Sequence, residues 1–407
     1  MSADGTRVLI AGGGVAALEA ALALRALAQD RVTVELLTPE THFWYRPLSV
    51  AEPFGLGDVR RFELSELAAV AGASFTLGSL IRVDVGDRIA ETSPGGAVRY
   101  DALVVACGAV PTVAVPGALT FRGPADVERI RGLLDELAAG DVRRVAFAVP
   151  GGAVWSLPAY ELALLTSAYL ATRAIEGVEL LLVTPEEEPL QLFGAAAVDA
   201  LGDLLDERGV RLETAAYPAE FVDGELLLTP SRTIAADRVV ALPRLRGPRI
   251  EGLPQTLDRF LPVDPHCRVR GRDDVFAAGD ITTFPVKQGG IAAQQANAAA
   301  EAIAASAGAD VDARPFRPVL RGLLLTGHQP RYLRRGVTDV VEETSLATTE
   351  PLWWPPAKIV GRHLAPFLAG FAGVEAPPEP RAAPGGVPVE VELDPADVDR
   401  LAARGVA

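Results

Sequence analysis

Side chains with chemical potential cluster in the segment 275–300, which contains a carboxylate, a lysine and a predicted helix start. Val275–Ala278 is uniformly apolar and predicts a short buried strand that ends at Gly279. The Asp280 carboxylate is therefore expected at the carboxyl edge of a sheet. Ligands of α/β proteins bind at this edge.

The residues that follow Asp280 favour a negatively charged partner. From about Gly290 the composition is helical and small, which predicts a helix packed closely against a flat group or another backbone. The N-terminus of such a helix presents free N–H groups and partial positive charge, and Lys287 lies just before it. A reduced flavin gathers negative charge on its pyrimidine edge, so we predict a flavin at this place. The alternative is that Gly279-Asp280 is an ordinary turn after a strand.

A glycine-rich loop near the N-terminus predicts a dinucleotide site. Arg7–Ala11 has the composition of a strand and is followed by Gly12-Gly13-Gly14-Val15-Ala16-Ala17 and a helical pattern. In this G-x-G-x-x-A arrangement Gly12 makes the tight turn, Gly14 lets a pyrophosphate approach, and Ala17, next to Ala16, lets helix and sheet pack. The alternative is a glycine-rich loop without a ligand.

The ribose of such a dinucleotide requires a carboxylate near the end of the second strand. Val32, Val34 and Leu36 alternate toward Thr38-Pro39-Glu40, so Glu40 is the main candidate, with Thr38 in the same turn. Glu35 is the second candidate, although it would have to point sideways from the middle of the strand.

Two further segments are expected to reach the same ligand. Arg46 lies in an aromatic-rich loop after the second strand and would reach the pyrophosphate or the ring system; the alternative is an arginine stacked on a tryptophan at the surface. The buried strand within Tyr100–Ala109 ends in Ala106-Cys107-Gly108, and small residues at a sheet edge allow a ligand to approach closely. We interpret Cys107 as a packing residue, with redox work as the alternative.

Composition excludes several classes of function. A chain of 407 residues with 49% hydrophobic content is globular and accommodates two or three domains. A net charge of -15 argues against a nucleic-acid partner, since phosphate binding needs a basic face. The two cysteines form no CxxC motif and the histidines lack metal-ligand spacing, so no metal site is predicted. Without a secretory signal or a run of about 18 apolar residues, we expect a cytoplasmic protein that does not span a membrane.

A second α/β unit follows, with strands at Arg144–Val149 and Val178–Val183 and a helix at Tyr160–Thr172. Thr184-Pro185-Glu186 repeats Thr38-Pro39-Glu40 at the same place after a strand, which suggests two related dinucleotide-type domains. The second glycine loop, Pro150 to Trp155, is degraded: Trp155 stands where the third glycine belongs and would crowd a pyrophosphate. A nicotinamide cofactor is therefore disfavoured in this domain.

Taken together, these segments make the chain resemble a known family. The order GGGVAALEAAL, YDALVVACGA, a degraded second nucleotide domain, VFAAGD and KQGGIAAQQA is similar to the FAD-dependent pyridine nucleotide-disulfide oxidoreductases, and most similar to their sulfide:quinone oxidoreductase and type II NADH dehydrogenase branch. The resemblance covers about residues 5–370. It implies an α/β fold with two Rossmann-like dinucleotide-binding domains, of which the FAD domain is discontinuous, and a small C-terminal domain.

The implied domains are 1–117 and 246–314 for FAD, 118–245 for the second, NAD(P)-type domain, 315–373 for the C-terminal domain, and 374–407 for a Pro-rich linker and short tail. The resemblance implies FAD bound across Gly12, Gly14, Glu40, Arg46, Ala106, Gly108 and Asp280, with Asp280 on the ribitol-phosphate side. Lys287 and the helix from Gly289 would lie near the flavin pyrimidine ring. The predicted cofactor-binding set is completed by Ala16, Ala17, Thr38, Cys107, Gly279 and Gly290.

The chain departs from both members of that branch. Sulfide:quinone enzymes carry sulfur on a cysteine pair that flanks the flavin, and here Trp155 stands in the segment that resembles one cysteine position. Cys107 is not a plausible partner, and Cys267 is predicted on a surface hairpin. The NADH-using branch needs an intact second glycine loop, which is absent. We therefore predict neither a persulfide mechanism nor an NADH site.

The segment 315–373 ends in a predicted helix, Ala357–Phe371, with Lys358, Arg362 and His363 to one side. Adjacent tryptophans and this cationic amphipathic helix suggest that residues 353–371 make peripheral contact with the inner face of the membrane to reach a quinone. The alternative is that the same face packs over the flavin or against a second subunit of a homodimer.

The sequence thus predicts an FAD-dependent oxidoreductase that takes two electrons from an unidentified small-molecule donor and passes them to a quinone-like acceptor. Lys287 and the helix terminus at Gly289 would stabilise the reduced, anionic ring, and Trp155 is the second residue assigned to the reaction site. The alternatives are an NAD(P)H:acceptor oxidoreductase and a flavin-carrying sensor or partner subunit without turnover.

Overall fold

The computed structural model describes residues 5–337 and 343–371. The predicted linker and tail, 374–407, lie outside the described residues. The strands are β1 (Thr6–Ala11), β2 (Val32–Thr38), β3 (His42–Trp44), β4 (Arg61–Glu63), β5 (Ala73–Leu77), β6 (Ser79–Asp84), β7 (Ile89–Ser93), β8 (Gly96–Arg99), β9 (Ala102–Val105), β10 (Val110–Thr112), β11 (Leu119–Thr120), β12 (Arg144–Ala148), β13 (Glu179–Val183), β14 (Val210–Glu213), β15 (Tyr217–Val222), β16 (Glu225–Thr229), β17 (Arg232–Ala235), β18 (Arg238–Ala241), β19 (Arg244–Arg246), β20 (Val275–Ala277), β21 (Leu320–Leu324), β22 (Arg331–Val337) and β23 (Glu343–Thr348). The helices are α1 (Val15–Ala28), α2 (Leu64–Val70), α3 (Val127–Ala139), α4 (Leu157–Thr172), α5 (Ala195–Glu207), α6 (Gly289–Ser306) and α7 (Leu364–Phe371).

The first parallel sheet has the order β20, β9, β1, β2, β5. Strand β20 comes from a late part of the chain, so the polypeptide returns to this sheet after it has built a second one. Helices α1 and α6 share a buried core with one face of the sheet, and most of their buried residues are alanines. Small side chains let the two helices lie close together above the strands. Because these strands are parallel, the carboxyl ends of β1, β2, β9 and β20 lie at one edge of the sheet.

The second parallel sheet has the order β11, β18, β12, β13, β14. As in the first sheet, the strand that precedes the glycine loop lies in the middle and the next two strands follow on one side. This repeated order confirms the predicted α/β class with two Rossmann-like domains. The two sheets are joined by a short ribbon in which β10 pairs with β19.

The C-terminal segment adds a three-stranded antiparallel sheet, β21 to β23, and α7. The predicted helix Ala357–Phe371 is wrong in its first half, because α7 begins only at Leu364. Lys358 lies in the irregular part with its side chain 8% exposed, so it does not share a cationic helix face with Arg362 and His363. Gly361 disfavours a helix before Leu364, and the hydrogen bonds of Lys358 to Glu161 and of the Ile359 N–H to Tyr45 fix the segment in an irregular conformation.

Cys267 is not on a surface hairpin, contrary to prediction. The residue is 0% exposed and packs in the core beneath α6. Its turn follows from Asp264, whose side chain accepts hydrogen bonds from the N–H groups of His266 and Arg268. Polar neighbours in the sequence concealed that the Cys267 side chain itself points inward.

No helix within 5–337 and 343–371 combines the length and the apolar character that a bilayer crossing requires.

Glu19 fixes the C-terminal segment to the first domain. Its carboxylate is 0% exposed and accepts hydrogen bonds from Asn297 Nδ2 at 2.9 Å and from the backbone N–H groups of His363 at 2.9 Å and Leu364 at 2.7 Å. The last two are orphan donors at the start of α7, so a residue of α1 caps a helix more than 300 positions away.

We expect Glu19→Ala to lower the free energy of unfolding by roughly 3 kcal/mol, because it leaves buried donors without an acceptor. Chemical denaturation of the variant measures the loss. Glu66→Ala, at an exposed position of α2, is the matched control and should unfold like the wild type. Equal stability of the two variants would contradict the capping role.

Candidate active site

The glycine loop lies between β1 and α1, as predicted. Gly12 has a φ of +141°, and a Cβ at this position would lie 2.1 Å from the carbonyl oxygen of Ala106, so only glycine fits beside β9. Gly14 faces open space, and no side chain caps the helix that starts after it. The first N–H groups of α1 are thus available to an anion such as a pyrophosphate.

The two candidate ribose ligands differ in position. Glu40 is exposed at the edge of a cavity beside the glycine loop, and its N–H donates to Thr38 Oγ1 at 3.3 Å. The Glu35 carboxylate instead accepts a hydrogen bond from Thr76 Oγ1 at 2.7 Å on the neighbouring strand. The structure therefore places Glu40, and not Glu35, beside the loop.

Two adjoining cavities occupy the shared sheet edge. The glycine-loop cavity measures about 450 Å³ and is lined by residues including Gly12, Gly14, Glu40, Ala106 and Gly108. The lysine cavity measures about 290 Å³ and is lined by residues including Phe121, Trp155, Glu161, Lys287 and Lys358. Arg46, Asp280 and Gly289 line both cavities, which therefore form one elongated cleft.

Most of the predicted cofactor-binding residues line this cleft. The glycine-loop cavity is lined, besides the residues already named, by Ala16, Thr38, Cys107 and Gly279. Ala17 and Gly290 do not line either cavity. Ala17 is 0% exposed between helix and sheet, and Gly290 is buried beside the Gln288 side chain, so Gly289 takes the predicted place of Gly290 at the cleft.

Arg46 faces the cleft and does not stack on a tryptophan; the arginine that lies over Trp44 is Arg61, at 5.2 Å from the ring centroid. Cys107 borders the cleft, but its thiol donates to the carbonyl oxygen of Ala11 at 3.3 Å, and burial raises its pKa to about 12. A protonated, hydrogen-bonded thiol is a poor nucleophile. These contacts agree with the interpretation of Cys107 as a packing residue.

Asp280 and Lys287 place opposite charges where the two cavities meet. Burial raises the pKa of Asp280, while Lys287 and Arg46 oppose that rise. Burial lowers the pKa of Lys287 to about 8, with Asp280 acting in the other direction. The Lys287 ammonium group donates to the carbonyl oxygen of Thr282 and lies 4.1 Å from the ring centroid of Phe260.

Helix α6 starts beside Lys287, as the sequence predicts. The Gln288 side chain caps it by accepting the N–H of Ile291 at 2.9 Å. This cap leaves the N–H groups of Gly289 and Gly290 at the helix start for other partners. A Cβ at Gly289 would lie 3.0 Å from Ile359, so the glycine allows the C-terminal segment to close over the cleft.

A buried ion pair between Glu161 and Lys358 was not predicted from the sequence. Lys358 Nζ lies 2.6 Å from both carboxylate oxygens of Glu161 and 3.2 Å from the carbonyl oxygen of Pro47, and Glu161 also accepts the N–H of Leu325 at 2.9 Å. Burial raises the pKa of Glu161, and Lys358 opposes this rise. The composition could have drawn attention to Lys358, because only two of the 38 lysines and arginines of the chain are lysines, Lys287 and Lys358. Both line the same cavity.

Trp155 forms part of the wall of the lysine cavity. Its ring meets Phe193 edge to face with the centroids 5.8 Å apart. Phe121 and Leu245 add apolar surface to the same cavity. A flat, largely apolar molecule would therefore find aromatic walls here and charged groups among the same lining residues.

Comparisons with known proteins agree with this architecture. The model of the family described as pyridine nucleotide-disulphide oxidoreductase matches residues 6–302. An NADH dehydrogenase-like protein of Mycobacterium tuberculosis is 30% identical over 302 residues, which cover 68% of this chain and 72% of the relative. The ferredoxin reductase component of a chlorobenzene dioxygenase of Cupriavidus sp. is 28% identical and covers 70% of this chain and 69% of its own.

Among solved structures, the sulfide:quinone oxidoreductase of Aquifex aeolicus superposes with a TM-score of 0.78 at 19% identity, covering 85% of this chain and 87% of that one. This likeness shows the fold. The family match confirms the resemblance drawn from the glycine loop and the two later segments. Because that match extends over both parallel sheets, the chain belongs to the pyridine nucleotide-disulphide oxidoreductases, a family of flavin-dependent enzymes.

Proposed function

We propose that the chain binds FAD along the cleft and passes two electrons from a small-molecule donor, through the flavin, to a quinone-like acceptor. The observation that carries the proposal is the continuity of the cleft. It runs from an uncapped glycine loop to an aromatic cavity that contains both lysines of the chain.

The residues of the glycine-loop cavity fit the adenosine diphosphate half of FAD. The N–H groups after Gly14 would hold the pyrophosphate, and Glu40 would accept the ribose hydroxyls. Ala106 and Gly108 leave room for the chain of the cofactor, and Asp280 would bind its ribitol. A mononucleotide would leave the glycine loop without a partner, which favours FAD over a smaller flavin.

The residues of the lysine cavity fit the ring of the flavin, which supplies two-electron transfer chemistry when bound. Lys287 and the N-terminus of α6 would place positive charge beside the ring. Their positions are fixed before any reaction, by Thr282 and Phe260 for Lys287 and by the Gln288 cap for the helix. Such preorganised charge stabilises a developing anion in a site from which water is excluded.

Glu161 and Lys358 are suited to supply a proton to the acceptor. They line the same cavity and are hydrogen-bonded to each other, and both side chains are buried away from solvent. A quinone takes up protons as it is reduced, and a buried acid within hydrogen-bond reach provides them without exposing the cleft.

A dithiol mechanism is disfavoured. Cys267 lies in the core, where burial raises the pKa of its thiol, and the Cys107 thiol is held by Ala11. Trp155 stands in the wall at the place where the resemblance would put a sulfur-carrying cysteine. Electrons are therefore expected to pass between donor and flavin directly.

The purified protein should be yellow and should release FAD, rather than a shorter flavin, on denaturation. Absorption spectroscopy followed by chromatography of the released cofactor tests this. Anaerobic mixing with sulfide, reduced quinones, NADH and NADPH then identifies the donor that bleaches the flavin. A colourless protein that takes up no FAD would overturn the proposal, and a yellow protein that no donor bleaches would favour a flavin-carrying subunit without turnover.

Lys287→Ala and Lys287→Met should each lower the reduction potential of the bound flavin by tens of millivolts, since about 1.4 kcal/mol corresponds to 30 mV for a two-electron couple. Because burial lowers the pKa of Lys287 to about 8, the gap between wild type and variant should be largest below that pH and shrink above it. Anaerobic redox titration at several pH values measures the gap. A potential that does not change at any pH would refute the role of Lys287.

Lys358→Met should slow reduction of the acceptor by about 100-fold while the flavin stays bound and is still reduced by the donor. Without the ammonium group the pKa of Glu161 rises further, so the pH above which the remaining acceptor reduction slows should move to a higher value. Lys358→Arg is the matched control: it retains the charge but holds its proton too firmly to donate it. Stopped-flow measurement of each half-reaction separates the steps, and equal rates in Lys358→Arg and wild type would argue against proton donation by Lys358.

A further inference from the structure

We infer that the second parallel domain does not accept a nicotinamide dinucleotide, because Ser156 and Tyr160 hold Glu186 at its ribose position and Pro158 removes an N–H donor at its pyrophosphate position. In place of a cofactor, Glu186 positions the loop that carries Trp155 as a wall of the lysine cavity. The inference about binding stands alone, whereas its consequence for the electron donor rests on the proposed function.

The two domains contain the same turn at the ribose position. In the first, the N–H of Glu40 donates to Thr38 Oγ1 at 3.3 Å, and in the second the N–H of Glu186 donates to Thr184 Oγ1 at 3.3 Å. Each turn follows the strand next to the central one, β2 in the first sheet and β13 in the second. Glu186 therefore occupies the place where the fold presents a carboxylate to a ribose.

The two carboxylates have opposite surroundings. Glu40 is exposed at the cleft. The Glu186 carboxylate accepts hydrogen bonds from Ser156 Oγ at 2.9 Å, from Tyr160 Oη at 2.7 Å and from Thr184 Oγ1 at 2.9 Å. Three donors from its own domain leave Glu186 no free orientation for ribose hydroxyls, and one of them, Tyr160, is itself 0% exposed.

The helix start that should bind a pyrophosphate is also closed. Neither α1 nor α4 has a side-chain cap, but α4 begins with Leu157 and Pro158, and proline has no N–H to offer. The N–H of Ala159 donates to the carbonyl oxygen of Ser156 at 2.9 Å. The anion site that exists at α1 is therefore missing at α4.

The degraded glycine loop is likewise held by protein atoms. Arg244 Nε donates to the carbonyl oxygen of Gly151 at 2.9 Å, and a Cβ at Gly151 would already touch the ring of Tyr217 at 3.4 Å. Arg244 lies in β19 of the ribbon that joins the two sheets, so this hydrogen bond links the loop to the ribbon. The family name implies a pyridine nucleotide, and the residues of this domain do not fit one.

The hydrogen bond between Glu186 and Ser156 has a second consequence. Ser156 is adjacent to Trp155, whose ring packs on Phe193 and lines the lysine cavity. Glu186 thus fixes the backbone that presents Trp155, although it does not line the cavity itself. With the second nucleotide site closed, a donor would have to be a small molecule that enters the lysine cavity.

Titration of the FAD-loaded, full-length protein with NADH and NADPH tests the exclusion. Isothermal titration calorimetry should show no saturable binding up to about 1 mM, the upper end of ordinary Michaelis constants. Saturable binding of either nucleotide in this range would overturn the inference. The flavin content and its reduction by other donors are measured on the same sample, so failure of the proposed function is recognised separately.

The matched variants Glu186→Gln and Glu40→Gln test the positioning role. Glu186→Gln should expose Trp155, which is seen as a red shift of its fluorescence emission and stronger quenching by acrylamide. The contribution of Trp155 is isolated by comparison with the same protein carrying Trp155→Phe. The rate of FAD dissociation should not change. Glu40→Gln should weaken FAD binding by about 10- to 100-fold, as expected for a lost hydrogen bond to a charged group, and leave Trp155 unaffected. If Glu186→Gln leaves the Trp155 emission unchanged, Glu186 does not position the loop.

Discussion

A buried ion pair holds the cleft together. Lys358 comes from the C-terminal segment, Glu161 from α4 of the second domain, and the carbonyl oxygen of Pro47 from the first domain. Removing either charge from water costs several kcal/mol, and the cost is offset only if the partners and their hydrogen bonds are all in place. In the observed arrangement of these three parts, the lysine cavity closes with Lys358 and Glu161 paired to each other.

The sequence predicted the sheet, glycine loop and helix of the first domain because these features depend on residues that are close together in the chain. Gly12 must pass close to Ala106, and strand β1 followed by a glycine loop and α1 can be recognised within thirty residues. The errors fall where distant contacts decide. The cationic helix predicted from Ala357 lost its first half because Glu161 and Glu19, far away in the sequence, bind that segment. Periodicity contains no information about such partners.

The two Thr-Pro-Glu turns show how far a repeated motif can be trusted. In both turns the glutamate N–H donates to the threonine Oγ1, so the local geometry follows from the local sequence. The orientation of the carboxylate does not follow from the local sequence, because it depends on the residues at the start of the neighbouring helix. Glycine at the start of α1 leaves the space in front of Glu40 open, whereas Ser156 and Tyr160 at the start of α4 draw Glu186 inward. A motif of three residues thus predicts a turn but not a binding site.

The choice of lysine at two positions has a physical explanation in a chain that otherwise uses arginine. A guanidinium keeps its proton at any physiological pH, whereas a buried ammonium can lose it; burial lowers the pKa of Lys287 to about 8. An ammonium is also compact enough to contact both oxygens of Glu161 together with the carbonyl oxygen of Pro47. Exposed positions need only a positive charge, and arginine supplies it there. Lysine thus stands only in the cavity, where each ammonium is enclosed by buried partners: Thr282 and Phe260 for Lys287, and Glu161 and Pro47 for Lys358.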